Sequence, residues 1–428
     1  MNNRVRKRKS RQPRIFKFGF GLILVVIVVL IGLLAYEKIH SSVPSGKVTS
    51  LNAVKHDKTS SWVSTWAASP VDMGNHKYTG TIRNMLVTTV AGDSLRVNFT
   101  NAFGDSDLQV EDAYIAIADA KGNVIGQSVP ITFNGKSTTT ISQGKELLSD
   151  TIKLTVPART RLAVTFYTPK AIEQTGHWLA NETSYITIGT KETRSPDTKG
   201  WIDTPSWWFI DSIDVQASEG GATKTIVALG DSLTDGFYST NEGRYTDTLM
   251  NRLNSQKGNE WSLVNEGITG NQVLTDSPTN VAKNAYFGQS ALSRLDRDVF
   301  NRPGLKDILL LEGINDINTG ASANKIIEGY KKIINQAHIS GVQIIAGTLP
   351  PFKGYPTWTA KKDKVRQKVN HWILTSGAFD GTVDFAKVLA TSGNSEELNP
   401  IYDSGDHLHP NNAGYKAMGD AVNLSLFK

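Results

Sequence analysis

The sequence predicts an α/β domain on a five-stranded parallel sheet, preceded by a β-sandwich and, at the N-terminus, a transmembrane helix. Three observations lead there. After Thr223, apolar strand-like runs alternate with helical periods. Between Trp62 and about Ala217 only short alternating runs occur, and from Phe18 to Tyr36 there is no charge at all. Strands alternating with helices mean βαβ units and a parallel sheet covered on both faces.

The N-terminal elements explain the charge balance. The chain has 428 residues, 39% of them apolar, enough for more than one core. Its formal charge of +6 is local: Arg4, Arg6, Lys7, Arg8, Lys9, Arg11, Arg14 and Lys17 stand in a segment without an acid. The remainder holds 38 basic against 40 acidic residues, which speaks against a nucleic-acid partner. The uncharged stretch "FGFGLILVVIVVLIGLLAY" would span roughly 28 Å as a helix, about one hydrocarbon core. The lopsided charge predicts a cytoplasmic tail (1–17), an anchor (18–36) and everything after it outside the cell membrane. A cleaved signal peptide, giving a secreted protein, is the rival; the apolar run is long for one, and no small-x-small cleavage site follows. Residues 37–60 are polar and aperiodic, as in a flexible linker. The absence of cysteine excludes disulfides, thiolate nucleophiles and cysteine zinc sites.

Two folded domains follow, 61–220 and 221–428. In the first, "NMLVTTVAGDSLRVNFTNAFG" gives two alternating runs around "AGDS", "AYIAIADAKGNVI" two more around "KGN", and "TRLAVTFYTP" another. A jelly-roll-like sandwich suits such strands. In the second, "KTIVALGDS", "WSLVNEG", "DILLLEGIND", "VQIIAGTL" and "GTVDF" are the five strands. Between them "RYTDTLMNRLNSQ", "SALSRLDRDVF", "ANKIIEGYKKIINQAHISG" and "KKDKVRQKVNHWILTSG" are helical, and a last helix starts at Asn412.

Ligands of such sheets bind beyond the carboxyl ends of the strands. Four polar clusters fall there: "GDSLTDG" with Ser232, "NEGITGN" with Gly267 and Gly270, "EGIND" with Asn315, and "DHLHP" with Asp406, His407 and His409. Together they fit acyl transfer. Ser232 needs a base, His409 can take its proton, and Asp406 can orient the imidazole. The backbone N–H groups of Ser232 and Gly270 and the side-chain amide of Asn315 can bind an oxyanion. Asp406, His407 and His409 could instead ligate a metal, but no other His-rich stretch supplies further ligands; His338 and His371 sit in helical periodicity. The glycines of "NEGITGN" lack the endings of phosphate-binding loops.

In that order the four blocks resemble those of the SGNH (GDSL) hydrolases, from Lys224 to the C-terminus. The resemblance implies a flavodoxin-like α/β/α fold and an esterase working without metal or cofactor. It makes Ser232 the nucleophile, Gly270 and Asn315 oxyanion donors, and Asp406 and His409 the acid and base. The upstream β-rich segment is similar to the N-terminal domain of a bacterial branch resembling carbohydrate esterases, so the expected substrate is an acetylated carbohydrate or another short-chain ester. A cell-wall O-acyltransferase using the same site and a surface carbohydrate-binding protein are the alternatives.

Other residues have plainer readings. Asp231 and Asp235 would satisfy backbone N–H groups of the strand-to-helix turn. Asp403 is a rival to Asp406 for orienting the histidine, and His407 would form a wall of the site. Asn315 could cap a helix with Asp316. The aromatics of "WIDTPSWWF" would pack between domains or stack on sugar rings.

Overall fold

The computed structural model describes residues 62–217, 224–240, 242–257, 260–277 and 285–428. The predicted tail, anchor and linker (1–60) lie outside these. Among the described residues no helix is long and apolar enough to cross a membrane. From Trp62 onward they belong to one compact unit.

The first half is β-rich, as its short alternating runs predict. Its strands are β1 (Trp62–Ala67), β2 (Val71–Val87), β3 (Ser94–Thr100), β4 (Leu108–Ala118), β5 (Val124–Pro130), β6 (Thr138–Ile141), β7 (Glu146–Leu148), β8 (Arg161–His177), β9 (Ser184–Ile186), β10 (Ile202–Thr204), β11 (Trp207–Trp208) and β12 (Ile210–Gln216). They form a four-stranded sheet, β1-β12-β3-β7, and an eight-stranded sheet with the path β10-β9-β2-β8-β4-β5. Alternation directs Leu108, Val110, Ala113 and Ile115 of β4 inward. The sheets meet where Phe99 of β3 packs edge-on against Phe166 of β8, ring centres 5.3 Å apart. The "KGN" turn closes the β4–β5 hairpin. The "AGDS" turn closes none: β2 pairs with β8 and β3 with β12, so that turn carries the chain from one sheet to the other.

The second half is the layered α/β domain. β13 (Lys224–Gly230), β14 (Trp261–Gly267), β15 (Leu305–Leu311), β16 (Gln343–Gly347) and β17 (Gly381–Val383) form a parallel five-stranded sheet in the order β14-β13-β15-β16-β17. This is the doubly wound order 2-1-3-4-5, whose switch point lies where strands one and three diverge. The helices are α1 (Ser232–Asp235), α2 (Tyr245–Lys257), α3 (Ala291–Leu295), α4 (Ile314–Asn318), α5 (Ala323–Ile339), α6 (Ala360–Thr375), α7 (Phe385–Leu389) and α8 (Asn412–Ala421). In α5 the helical period buries Ile326, Ile327, Tyr330, Ile333, Ile334 and Ala337, Ser322 caps the start, and Gly341 (φ +68°) follows the end.

Two local departures bear on the site. "SALSRLDRDVF" is α3 followed by a wider π-type turn, Asp296–Phe300. A hairpin, β18 (Ala390–Thr391) and β19 (Asn394–Leu398), stands between α7 and the histidine loop. Its residues are too polar and its strands too short to show as alternation.

Candidate active site

The first cluster sits where β13 gives way to α1. Asp231 caps that short helix, its Oδ1 accepting the Leu233 N–H at 3.0 Å. Asp231 thus has the turn-stabilising place expected of it, and burial pushes its carboxyl up to about 7. Ser232, only 2% exposed, places its Oγ 2.8 Å from Nε2 of His409. Nδ1 of His409 lies 2.6 Å from Oδ2 of Asp406. Burial works against the Asp406 charge, yet His409 and the N–H groups of His409 and Leu408 hold its carboxyl below the usual range. An ionised carboxylate only accepts, so Nδ1 carries the ring's proton; in the neutral ring Nε2 is then the acceptor and Ser232 the donor.

Asp403, the rival partner, binds a different ring. Its Oδ2 is 2.7 Å from Nδ1 of His407, and its Oδ1 accepts the Gly405 and His407 N–H groups. His407 has a positive φ of 69° and is exposed. One loop therefore holds two carboxylate–imidazole pairs, and only the second faces Ser232. Among the described residues no set of three or more histidine or acidic side chains converges as metal ligands would.

The oxyanion candidates lie past β14 and β15. Gly270 has φ +83°, and a Cβ there would stand 2.2 Å from the Phe287 ring, so the position admits only glycine without rearrangement. Among the described residues no acceptor takes the N–H of Ser232 or of Gly270. Asn315 is not a cap: Gly313 occupies that place, and Asn315 Nδ2 donates to the Asn271 carbonyl at 2.9 Å, leaving its second N–H free of that bond. Asp316 accepts the Val273 and Leu274 N–H groups at 2.8 and 3.1 Å. The end of the glycine loop and the residues after it are thus held by two consecutive side chains of α4, just past the third strand.

Asp235, at the end of α1, accepts the N–H and hydroxyl of Thr269 at 2.9 and 2.7 Å, which ties the serine turn to the glycine loop. His177 of the β-rich region faces the same carboxylate at 3.0 Å. Buried Arg294 binds the Gly230 carbonyl, the Asn271 side chain, the Glu266 carbonyl and Ser69 of the β-rich region, at 2.7–3.1 Å. Sequence reasoning missed His177 and Arg294; neither stands in a motif, and no local signal marks them.

The same boundary is lined with buried charge. Arg302 Nε meets Glu266 at 2.6 Å and its Nη atoms lie 3.4 Å from Asp211 of β12, while Arg297 pairs with Asp298. Burial pushes Glu146 of β7 up to about 8 beside this group. Trp207 and Trp208 are buried too: Trp207 Nε1 donates to the Met85 carbonyl, its ring meets Trp66 edge-on, and Arg244 lies over it at 5.8 Å. Trp207 thus packs at the boundary, whereas Trp208 stays within the β-rich region, its ring edge-on to Tyr78 at 4.8 Å and its backbone bonded to the Asn84 side chain. The aromatic walls around His409 are Phe237, Tyr238 and Tyr355, with ring centres 4.9, 5.8 and 6.4 Å away. Trp178 of the β-rich region touches Phe237 from outside at 6.3 Å.

Residues 228–417, which contain all four clusters, match the GDSL-like Lipase/Acylhydrolase family. None of the curated proteins matches this chain. Among solved structures, the chain is similar to a lipolytic protein of the G-D-S-L family from Desulfitobacterium hafniense, with 19% identity over 46% of this chain and 97% of that one, TM-score 0.36. An acetyl xylan esterase shows 18% identity over 46% and 96%, TM-score 0.35. A mutant of an acetyl-xylooligosaccharide esterase from Geobacillus Stearmophilus shows 19% over 49% and 96%, TM-score 0.36. Residues 228–417 are a domain of the GDSL-like lipase/acylhydrolase family, and the chain is an ester hydrolase.

Proposed function

We propose that the protein is a membrane-anchored, outward-facing serine esterase that removes short acyl groups, acetyl above all, from carbohydrate. One observation carries the chemical part: the unbroken line from Asp406 through His409 to Ser232 at the carboxyl edge of a parallel sheet. Ser232 Oγ passes its proton to His409 Nε2 as it attacks the acyl carbonyl. The negative oxygen of the tetrahedral intermediate meets the N–H groups of Ser232 and Gly270 and the amide of Asn315. His409 then protonates the departing alkoxide, leaving an acyl-serine. Water repeats the sequence, giving its proton to His409, and releases the acid. Asp406 stays ionised throughout and holds the ring.

The aromatic rings of Phe237, Tyr238 and Tyr355 beside the imidazole support a small acyl group and a sugar, for which they offer apolar walls and stacking planes. The uncharged stretch behind a basic tail supports the anchor. Incubation with p-nitrophenyl acetate is expected to give turnover that Ser232→Ala abolishes, and a fluorophosphonate is expected to label Ser232. Turnover persisting in the Ser232→Ala variant would overturn the reading.

A further inference from the structure

The turn behind the nucleophile is clamped from the β-rich region. At the end of β8, His177 is only 3% exposed, with Nδ1 2.9 Å from the Ser69 carbonyl and Nε2 3.0 Å from Oδ1 of Asp235. Both ring nitrogens face acceptors, an arrangement that suits an imidazolium over a carboxylate. Burial opposes that charge, yet Asp235 and the Ser69 carbonyl hold the imidazole above its usual value. Oδ2 of Asp235 takes both Thr269 donors, and the residue after Thr269 is Gly270. A few positions after His177, Asn181 Nδ2 donates to the carbonyls of Asp235 and Gly236 at 3.3 and 3.1 Å. Arg244 joins the Asp235 carbonyl (2.7 Å) to that of Ala180 (2.8 Å).

A ring filling space between Trp207 and the turn would need no charge; the His177 and Trp207 ring centres are 5.8 Å apart, and phenylalanine would pack there. Burying an ion pair is a costly way to fill a volume. What the pair supplies is direction, because its hydrogen bonds fix the carboxylate in two axes. The structure assigns to His177 the part of a positioning residue contributed by the β-rich region: through Asp235 and Thr269 it sets the Gly270 N–H against the oxyanion. This rests on the serine-esterase reading above.

The test uses the full chain and p-nitrophenyl acetate. His177→Phe keeps the packing and removes the donors, whereas His177→Gln returns one donor to Asp235. The phenylalanine variant is expected to lose about 10–100-fold in kcat, since small displacements of catalytic groups cost on that order. KM should change less than about twofold, near-UV circular dichroism should match wild type, and fluorophosphonate labelling of Ser232 should slow in parallel. The glutamine variant should recover most of the loss. Wild-type kcat in His177→Phe, or equal losses in both variants with native spectra, would overturn the assignment. Should the phenylalanine variant not fold, Thr269→Val decides: a several-fold fall in kcat upholds the relay, and an unchanged kcat refutes it. A wild-type chain that neither turns over nor takes label sinks the esterase reading; an active wild type with an unaffected His177→Phe sinks this inference alone.

Discussion

Asp403 holds the imidazole of His407 at 2.7 Å and leaves that of His409 to Asp406. The two pairs are chemically alike and differ in what they face. Asp406→Asn is therefore expected to lower kcat on p-nitrophenyl acetate by about 10²–10⁴, since an amide no longer fixes the productive tautomer. Asp403→Asn should leave kcat within about twofold. His409→Ala and His407→Ala should divide in the same way, and activity should survive chelators. Equal losses from the two aspartate variants would contradict the assignment.

The glycine loop yields a second expectation. Asn315→Ala removes one proposed oxyanion donor and also the bond to the Asn271 carbonyl. A fall in kcat of about 10²–10³ with little change in KM is expected from steady-state kinetics. Gly270→Ala should do at least as much harm, because its methyl group would enter the Phe287 ring and its φ of +83° is strained for alanine.

Stability should be most sensitive at the buried charges. Arg302→Ala strands Glu266 and Asp211, both fully buried, without their guanidinium. Loss of one partner of a buried ion pair typically costs about 3–5 kcal/mol, and urea unfolding should show a loss of that order. Arg302→Met combined with Glu266→Gln should recover part of it. A loss below about 1 kcal/mol for the single variant would mean that water reaches this site.

Asp307, near the start of β15, gives a pH signature. Burial pushes its carboxyl up to about 7, and its Oδ1 has no hydrogen-bond partner. The folded state thus keeps this proton where the unfolded chain, with a carboxyl near 4, has released it. Between about pH 4 and pH 7 the folded form binds more protons, so this group's contribution makes stability fall as pH rises. Asp307→Asn should remove that part of the slope and raise stability at pH 8, by at most about 4 kcal/mol for a shift of this size. Chemical denaturation at pH 5 and pH 8 is the check; an unchanged slope would refute the buried-carboxyl account.

Much of this was legible in the sequence because it is written locally. A buried parallel strand must be a continuous apolar run, and "KTIVALG" and "DILLLEG" can hardly be anything else. The order of four motifs then selects the strand ends that form one edge. What stayed hidden depends on partners distant in the chain. Asp235 serves a backbone N–H, as its place in the turn predicts, but in the Thr269 loop and together with His177. The burial of Arg294, Arg297 and Arg302 is invisible in the sequence, which shows a guanidinium without showing the carboxylates that allow it to be buried. Asp403 and Asp406 could be ranked by spacing, but that each binds its own imidazole follows from a loop in which His407 adopts a positive φ.

The guanidinium groups that neutralise Asp211 of the β-rich half are encoded after Ser232. On the ribosome, a nascent chain that has reached Gln216 holds every strand of both antiparallel sheets but none of those arginines. Until Arg302 has emerged, Asp211 has Asn98 of its own half as a partner but no guanidinium from the second half, and its face must stay wet or its carboxyl protonated. The earlier sheets thus gain their last charge partner only from a later segment, and a fragment ending at Gln216 is expected to be cut more readily by protease than the whole chain.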